Sequence, residues 1–160
     1  MLIAVFLLYK EPYALESSKV DKNEPNMETI NMVSYSITKD GIEYIVKGSR
    51  VLRFANRDEF YDIDTIRKAN DSLLEKLRAN SGVLVGDDLS LKGDVRYKNS
   101  NGIRFSSKQA DYNLKSKVFK TDTDFILEDN RSITKGASMI YNTKEEKIYA
   151  SKIRSKIEVD

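Results

Sequence analysis

Apolar and polar residues alternate along most of this chain with a period of two, the pattern of strands that bury one face and show the other to water. Val33, Tyr35 and Ile37 share one face of a first run, and Ile42, Tyr44 and Val46 continue it after Lys39–Asp40–Gly41. Asp-Gly tolerates the positive φ of a hairpin turn, so this pair of runs reads as a first hairpin. Val51 and Phe54 extend the second run, Asn56–Arg57–Asp58 turns the chain, and Phe60–Ile66 follows. Further turns are expected at Gly86–Asp87–Asp88, Asn99–Ser100–Asn101–Gly102, Lys115–Ser116–Lys117 and Glu128–Asp129–Asn130. Between them lie apolar series through Leu89, Leu91, Val95 and Tyr97, then Ile103 and Phe105, then Ala110, Tyr112 and Leu114, then Phe125 and Leu127. Residues 65–79 fit two readings. Ile66, Ala69, Leu73, Leu74 and Leu77 make a helical stripe, while Leu73, Glu75, Leu77 and Ala79 also fit a strand; Asn70–Asp71–Ser72 breaks the chain either way.

The alternation also repeats on a longer scale. Phe105–Leu127 and Ile133–Ile157 recur at a spacing of about 28 residues, and each copy carries a Tyr-Asn step, at Tyr112–Asn113 and at Tyr141–Asn142. A repeat of this length implies stacked hairpin-like units that bury an apolar face only against their neighbours. The expected fold is all-β: a dozen or more short antiparallel strands in an open, twisted sheet pair with an apolar trough and two exposed edges. Both prolines, Pro12 and Pro25, precede it, so every later residue carries the N–H that a ladder needs.

Met1–Tyr9 is nearly all apolar and stops at Lys10–Glu11–Pro12. A membrane-spanning helix takes about 20 apolar residues, so this segment reads as part of an anchor, as a short element packed on the domain, or as a surface contact. The division expected is residues 1–9 as partial anchor, 10–30 as polar tether and 31–160 as one folded domain.

Composition narrows the function. The 160 residues contain no Cys and no His, which removes disulfides, thiolate chemistry and the commonest acid–base and metal-binding side chain. A net charge of +2 gives no reason to expect nucleic acid as a partner. Asp122 and Asp124 flank Thr123 and would leave one face of a strand, as a general acid/base pair or a cation site requires. No further acid completes that cluster, and a solvated strand face is the simpler reading. The same holds for Asp87–Asp88. Lys117 and Lys120, and Lys152, Arg154 and Lys156, put positive charge on polar strand faces that could meet phosphate, though edge protection explains them as well. Glycine-rich nucleotide loops are absent. No catalytic residue, metal or cofactor is expected.

Leu91–Tyr97 (LKGDVRY), Ile103–Leu114 (IRFSSKQADYNL) and the run to Thr123 resemble the OstA-like β-jellyroll proteins of lipopolysaccharide export. Tyr35–Tyr44 (YSITKDGIEY) is similar to the first hairpin, and Met139–Ala150 (MIYNTKEEKIYA) to the last hairpin, of the LptC family. The likeness spans residues 31–158. It implies a V-shaped jellyroll in the periplasm, held by a single-pass anchor in the inner membrane. Its interior shelters the acyl chains of lipopolysaccharide, and it performs no chemistry. The N-terminal edge is expected to meet the membrane subunits of an ABC transporter, and the C-terminal edge, at Ala150, Ile153, Ser155 and Ile157, to meet a soluble bridge protein. Gly41 matches a functionally sensitive glycine of the family, whereas a second such glycine falls near Glu128–Asp129, where this chain has none.

Alternation then nominates the lumen: Tyr35, Tyr44, Val46, Phe54, Val95, Phe105, Tyr112, Phe125, Leu127, Met139 and Tyr141. A slip of one residue in register would turn any of these outward. Other readings are a soluble bridge-type carrier, a β-sheet scaffold for protein contacts, and a metal-assisted hydrolase built on Asp122 and Asp124.

Overall fold

Turn residues and the period-two runs between them fold the chain back and forth into one antiparallel sheet. The computed structural model describes residues 22–39, 41–68, 73–142, 145 and 147–157. Six long strands come first: β1 (Met27–Thr38), β2 (Gly41–Arg53), β3 (Asp58–Lys68), β4 (Leu74–Val85), β5 (Asp88–Asn99) and β6 (Arg104–Asn113). Six short ones follow: β7 (Val118–Thr121), β8 (Phe125–Glu128), β9 (Ser132–Gly136), β10 (Ser138–Asn142), β11 (Lys147–Ser151) and β12 (Arg154–Ile157). The described residues contain no helix, and thus none long and apolar enough to cross a membrane. Within the stretch 65–79, residues 65–68 end β3 and residues 74–79 begin β4. Thr65 pairs with Leu77 and Arg67 with Glu75, so the strand reading prevails over the helical one.

The segment 1–9, the tether up to residue 21 and the break at 70–72 lie outside the described residues. Strand β1 begins at Met27, ahead of the domain start expected at residue 31, and the Asn26 N–H donates to the Arg53 carbonyl at 2.7 Å just before it.

Strands β1 to β6 pair in sequence order, and then the sheet divides. The C-terminal part of β6 pairs with β7, which leads to β10 and β11; its N-terminal part pairs with β8, which leads to β9 and β12. The expected short strands are therefore correct only for the second half of the chain. The reason is a line of bends that crosses every pass. Register is interrupted at Asn31 and Ser49, at Asp62, at Ala79–Asn80 against Gly93–Asp94, between Thr121 and Phe125, between Gly136 and Ser138, and between Ser151 and Arg154. Asn31, Asp62, Asp94 and Lys152 have φ of 52, 51, 48 and 52°, and Gly93 has 75°. Positive φ inserts a bulge that bends a strand without ending it. The long strands bend there, and the later passes break into β7/β8, β9/β10 and β11/β12. Hydroxyls hold the crease. Ser49 donates to Asp62 at 2.7 Å, and Ser107, Thr121 and Thr123 lie within 2.8–3.2 Å of one another. Thr121, only 2 % exposed, donates to the Gln109 carbonyl at 2.7 Å.

The bend closes the sheet on itself. Phe105 and Tyr112 lie on either side of the crease in β6 and both face the trough; along an extended strand at ~3.3 Å per residue they would be about 23 Å apart. Phe119 pairs with Tyr112, yet its ring centroid lies 4.9 Å from that of Phe105, edge to face. Two leaves of one sheet thus face each other across the crease. Val51, Phe60, Ile63, Ala79, Leu91, Val95, Ala110, Phe125 and Met139 fill the interior with these two rings.

Candidate functional site

Strand register builds the site as two rows. On one leaf Val46, Thr65, Leu77, Tyr97, Phe105 and Leu127 are successive cross-strand partners over β2, β3, β4, β5, β6 and β8. On the other, Leu84, Leu89, Tyr112, Phe119, Tyr141 and Ile148 are partners over β4, β5, β6, β7, β10 and β11. All twelve line one trough, with Phe60, Ile63 and Met139 between them, and the space enclosed is about 130 Å³. Both rows bring period-two apolar residues to the same face, which is why the sequence alternates. Tyr112 and Tyr141 flank Phe119 in one row, so the repeated Tyr-Asn step marks two strands of the same leaf separated by one.

One end of the trough is polar. Tyr44, Arg67 and Glu75 form the next row outward on the first leaf. The Arg67 guanidinium donates to Glu75 at 3.0 Å and lies 5.5 Å from the centre of the Tyr44 ring. Tyr97 donates its hydroxyl to the other Glu75 oxygen at 2.8 Å. Burial, and then the Glu75 charge, hold the Tyr97 hydroxyl far above the usual tyrosine pKa. Burial also raises Tyr44, partly offset by Arg67. Lys117 comes from the turn between β6 and β7 on the second leaf; burial, and then the Arg67 charge, push its pKa down.

Of the eleven residues nominated for the lumen, Tyr44, Val46, Phe105, Tyr112, Leu127, Met139 and Tyr141 line this trough. Four do not. Tyr35 is 49 % exposed on the outer face, because Ser34 and Ser36, not Tyr35, pair with the inward Val46 and Tyr44. Phe54 lies beyond the end of β2, under the Arg57 guanidinium at 3.8 Å. Val95 and Phe125 are in the packed crease beneath the trough. Register supplies residues that alternation alone did not nominate: Phe60, Leu77, Leu84, Leu89, Tyr97, Phe119 and Ile148. For all but Phe60, which aligns instead with Val51 and Gly82, the signal that finds them is membership of the cross-strand row of Phe105 or of Tyr112.

Gly41 has φ of 112° in the first hairpin turn, a conformation that disfavours a side chain, and open space surrounds its Cβ position. At the C-terminal end, Ala150 is on β11 and packs against the core, Ser155 is on β12 with its hydroxyl 2.8 Å from that of Thr134, and Ile157 is 65 % exposed. Ile153 is in the bend between these strands, so it contributes no rung to a ladder. Asp122 and Asp124 are also in the bend, between β7 and β8 rather than on a strand; Asp122 pairs with Lys120 at 2.9 Å. The described residues contain no cluster of three or more potential metal ligands.

Comparison with known proteins agrees with this architecture. Residues 1–156 match the profile of the family described as lipopolysaccharide-assembly, LptC-related. Among solved structures, the chain is similar to LptH of Pseudomonas aeruginosa, the LptA-homologous periplasmic component of the lipopolysaccharide transport device. The match has a TM-score of 0.50 and 12 % identity, over 88 % of this chain and 99 % of that one. At that identity the likeness shows the fold, an LptA-like open jellyroll. No curated protein sequence matches. The chain belongs to the LptC-related lipopolysaccharide-assembly family.

Proposed function

We propose that this LptC-family chain is a non-enzymatic carrier that shelters the acyl chains of lipopolysaccharide between its two leaves. Family membership places it in lipopolysaccharide assembly and transport. The observation that carries the finer reading is the pair of facing rows, Val46 to Leu127 and Leu84 to Ile148, that wall an almost entirely apolar trough. Apolar surface in water costs about 25 cal/mol per Å², and a trough open along its length removes that cost for an acyl chain while the sugars stay outside. The space of about 130 Å³ is of the size that holds a benzene-like guest, so acyl chains enter as the leaves move apart.

The reading extends to place and partners. Residues 1–9 contribute to an inner-membrane anchor, 10–26 form the tether, and the sheet stands in the periplasm. No described strand pairs with the outer side of β1, β11 or β12. Open strand edges add strands from other sheets. On this reading β1 meets the membrane subunits of the ABC transporter, and β11 with β12 meets the bridge protein. Removing residues 154–160 tests the second contact: pulldown of the bridge protein should fall while the trough still binds lipid, and unchanged pulldown places that contact elsewhere.

Photo-crosslinking during export in membranes tests the carrier itself. Photoreactive residues at Phe105, Tyr112 and Phe119 should capture lipopolysaccharide, and those at Arg104 and Asp111, on the opposite face of β6, should not. Equal capture from both faces would overturn the reading.

A further inference from the structure

We propose that the outer face of the first leaf docks on an anionic lipid bilayer through a basic band that crosses the whole leaf. The inference rests on the anchored reading above and adds to it which side of the sheet lies toward the membrane.

Three observations carry it. First, charge is divided unequally between the leaves. The row from Val46 to Leu127 faces the trough, so the rows on either side of it face outward. One carries Lys76, Lys98, Arg104 and Lys156, with Glu128 as its carboxylate. The other carries Lys47, Arg78, Arg96, Lys135 and Arg154, with Asp64 as its carboxylate. The corresponding row of the second leaf, from Glu28 to Tyr149, holds three carboxylates, Glu28, Glu59 and Asp111, and one cation, Lys120. The net charge of +2 conceals this polarity. Second, the band forgoes stability. Lys76 and Lys98, Lys98 and Arg104, Arg78 and Arg96, and Lys135 and Arg154 are direct cross-strand partners. Like charges placed opposite each other destabilise a sheet, and an anionic surface would relieve that cost. Asp64 is 3.9 Å from Arg78, Glu128 is 3.3 Å from Arg104, and Asp94, at the bend, is 2.8 Å from Arg96. Lys98, Lys135 and Arg154 are exposed and belong to no ion pair among the described residues. Outside the crease, Lys108 and Lys152 join Lys135 and Arg154 around an open groove whose acids are Asp94 and Asp124. Third, the band has the form of a plane. It runs from β2 to β12 across seven strand spacings, about 34 Å at ~4.8 Å each, too broad for one extended peptide. At its β1 end the same face exposes Val33 and Tyr35, the mixture of apolar and basic groups that binds membrane interfaces. Residues 10–21 connect the sheet to the apolar Met1–Tyr9, and twelve residues span at most about 40 Å. An anchored chain therefore keeps this leaf within reach of the bilayer, and contact through a face leaves the strand edges free.

The test is flotation of the full chain with two kinds of vesicle, phosphatidylcholine alone and phosphatidylcholine with phosphatidylglycerol. Each Lys or Arg at an anionic surface is worth about fivefold in partition, so three in contact should favour the phosphatidylglycerol vesicles about a hundredfold. Raising salt from about 0.1 to about 1 M should remove that preference, because the Debye length falls from about 10 to about 3 Å. Lys98→Gln/Lys135→Gln should lower partition into phosphatidylglycerol vesicles by about 25-fold and leave partition into neutral vesicles unchanged. Lys120→Gln/Lys147→Gln, which removes the same net charge from the outer face of the second leaf, should change it by less than about twofold. Orientation is read separately, since the chain has no tryptophan. Tyr35→Trp emission should shift to the blue on phosphatidylglycerol vesicles, and Tyr149→Trp emission, from the second leaf, should not. Equal partition of wild type into both vesicles, equal losses in the two double variants, or a shift at Tyr149→Trp alone would overturn the docking face. Binding of polyglutamate with the same variant dependence, without the phosphatidylglycerol preference, would overturn the lipid assignment in favour of an acidic protein. Failure to bind neutral vesicles at all would count against residues 1–9 as an anchor, whereas a variant-sensitive phosphatidylglycerol preference would still support the face.

Discussion

Phe105→Ala tests whether the two leaves are closed on each other. Phe105 is 4 % exposed, with the Phe119 ring edge-on at 4.9 Å and the Phe125 ring stacked at 6.1 Å. A phenylalanine buries roughly 150–250 Å². At about 25 cal/mol per Å² that is roughly 4–6 kcal/mol, an upper bound because unfolded chains keep some apolar surface covered. Alanine retains one methyl, and truncation leaves a cavity, so the expected cost is about 3–5 kcal/mol. For a chain of this size that lowers Tm by roughly 10 °C or more. Urea unfolding of the purified chain should show a reduced midpoint at unchanged slope. Tyr61→Ala, on the outer face at 37 % exposure, should cost no more than about 1 kcal/mol. The decisive arm is the cycle with Phe119→Ala. Because the two rings meet only when the leaves are closed, their coupling should be about 0.5–1.5 kcal/mol. Coupling indistinguishable from zero, with Phe105→Ala costing under about 1 kcal/mol, would refute the closed arrangement.

Gly136→Ala should destabilise by about 1–3 kcal/mol in the same urea assay, because the new Cβ would lie 2.7 Å or less from Phe125 ring carbons and 2.9 Å from the backbone oxygen of Ser151. Tyr97→Phe should flatten the alkaline loss of stability. The folded Tyr97 pKa is raised above the ordinary value near 10, so its contribution is complete below pH ~10 and is lost as pH rises above it, when the unfolded tyrosine ionises first. Midpoints recorded from pH 8 to 11 should therefore fall less steeply in the variant, with the remaining slope coming in part from Tyr44. The chain has no cysteine, so paired labels at Lys76 and Lys115, exposed near the rims of the two leaves, can be introduced cleanly. Their distance by electron spin resonance should lengthen when lipopolysaccharide is added, and an unchanged distance would show that acyl chains do not part the leaves.

The all-β fold and its turns could be read from residues whose chemistry acts locally. Gly41, Gly86 and Gly102 have φ of 112, 59 and 91°, each in a turn expected from its Asp-Gly, Gly-Asp or Asn-Gly neighbours. The crease could not be read, because its bulges use Asn31, Asp62, Asp94 and Lys152 within runs that otherwise alternate like straight strands. The face of β1 was also beyond the pattern. Val33, Tyr35 and Ile37 are the apolar set, yet they are 48, 49 and 73 % exposed, while Ser36 is buried. Alternation says that two faces differ; on an edge strand it does not say which one the sheet closes over. Trough membership has the same character. Leu84 and Ile148 look like any strand residue until register aligns them with Leu89 and Tyr141.

The bends also account for the long repeat. They fall near positions 31, 48, 62, 80, 93, 108, 123, 137 and 152, roughly every 15 residues, and two passes of an antiparallel sheet therefore return to the same direction after about 30. The Tyr112 and Tyr141 copies are one such double pass apart. A repeat that adds strands at one edge lengthens both leaves and the crease together. The trough therefore runs across the strands and extends as far as strands are added. This ties the apolar interior to the open edges. A strand supplied by another protein to β11 and β12 would continue Tyr141–Ile148 on one leaf and Thr134–Ser155 on the other, so docking and lengthening of the trough would be one event. A closed barrel of the same strands would bury its apolar face equally well but would have no edge at which a further strand could lengthen the trough.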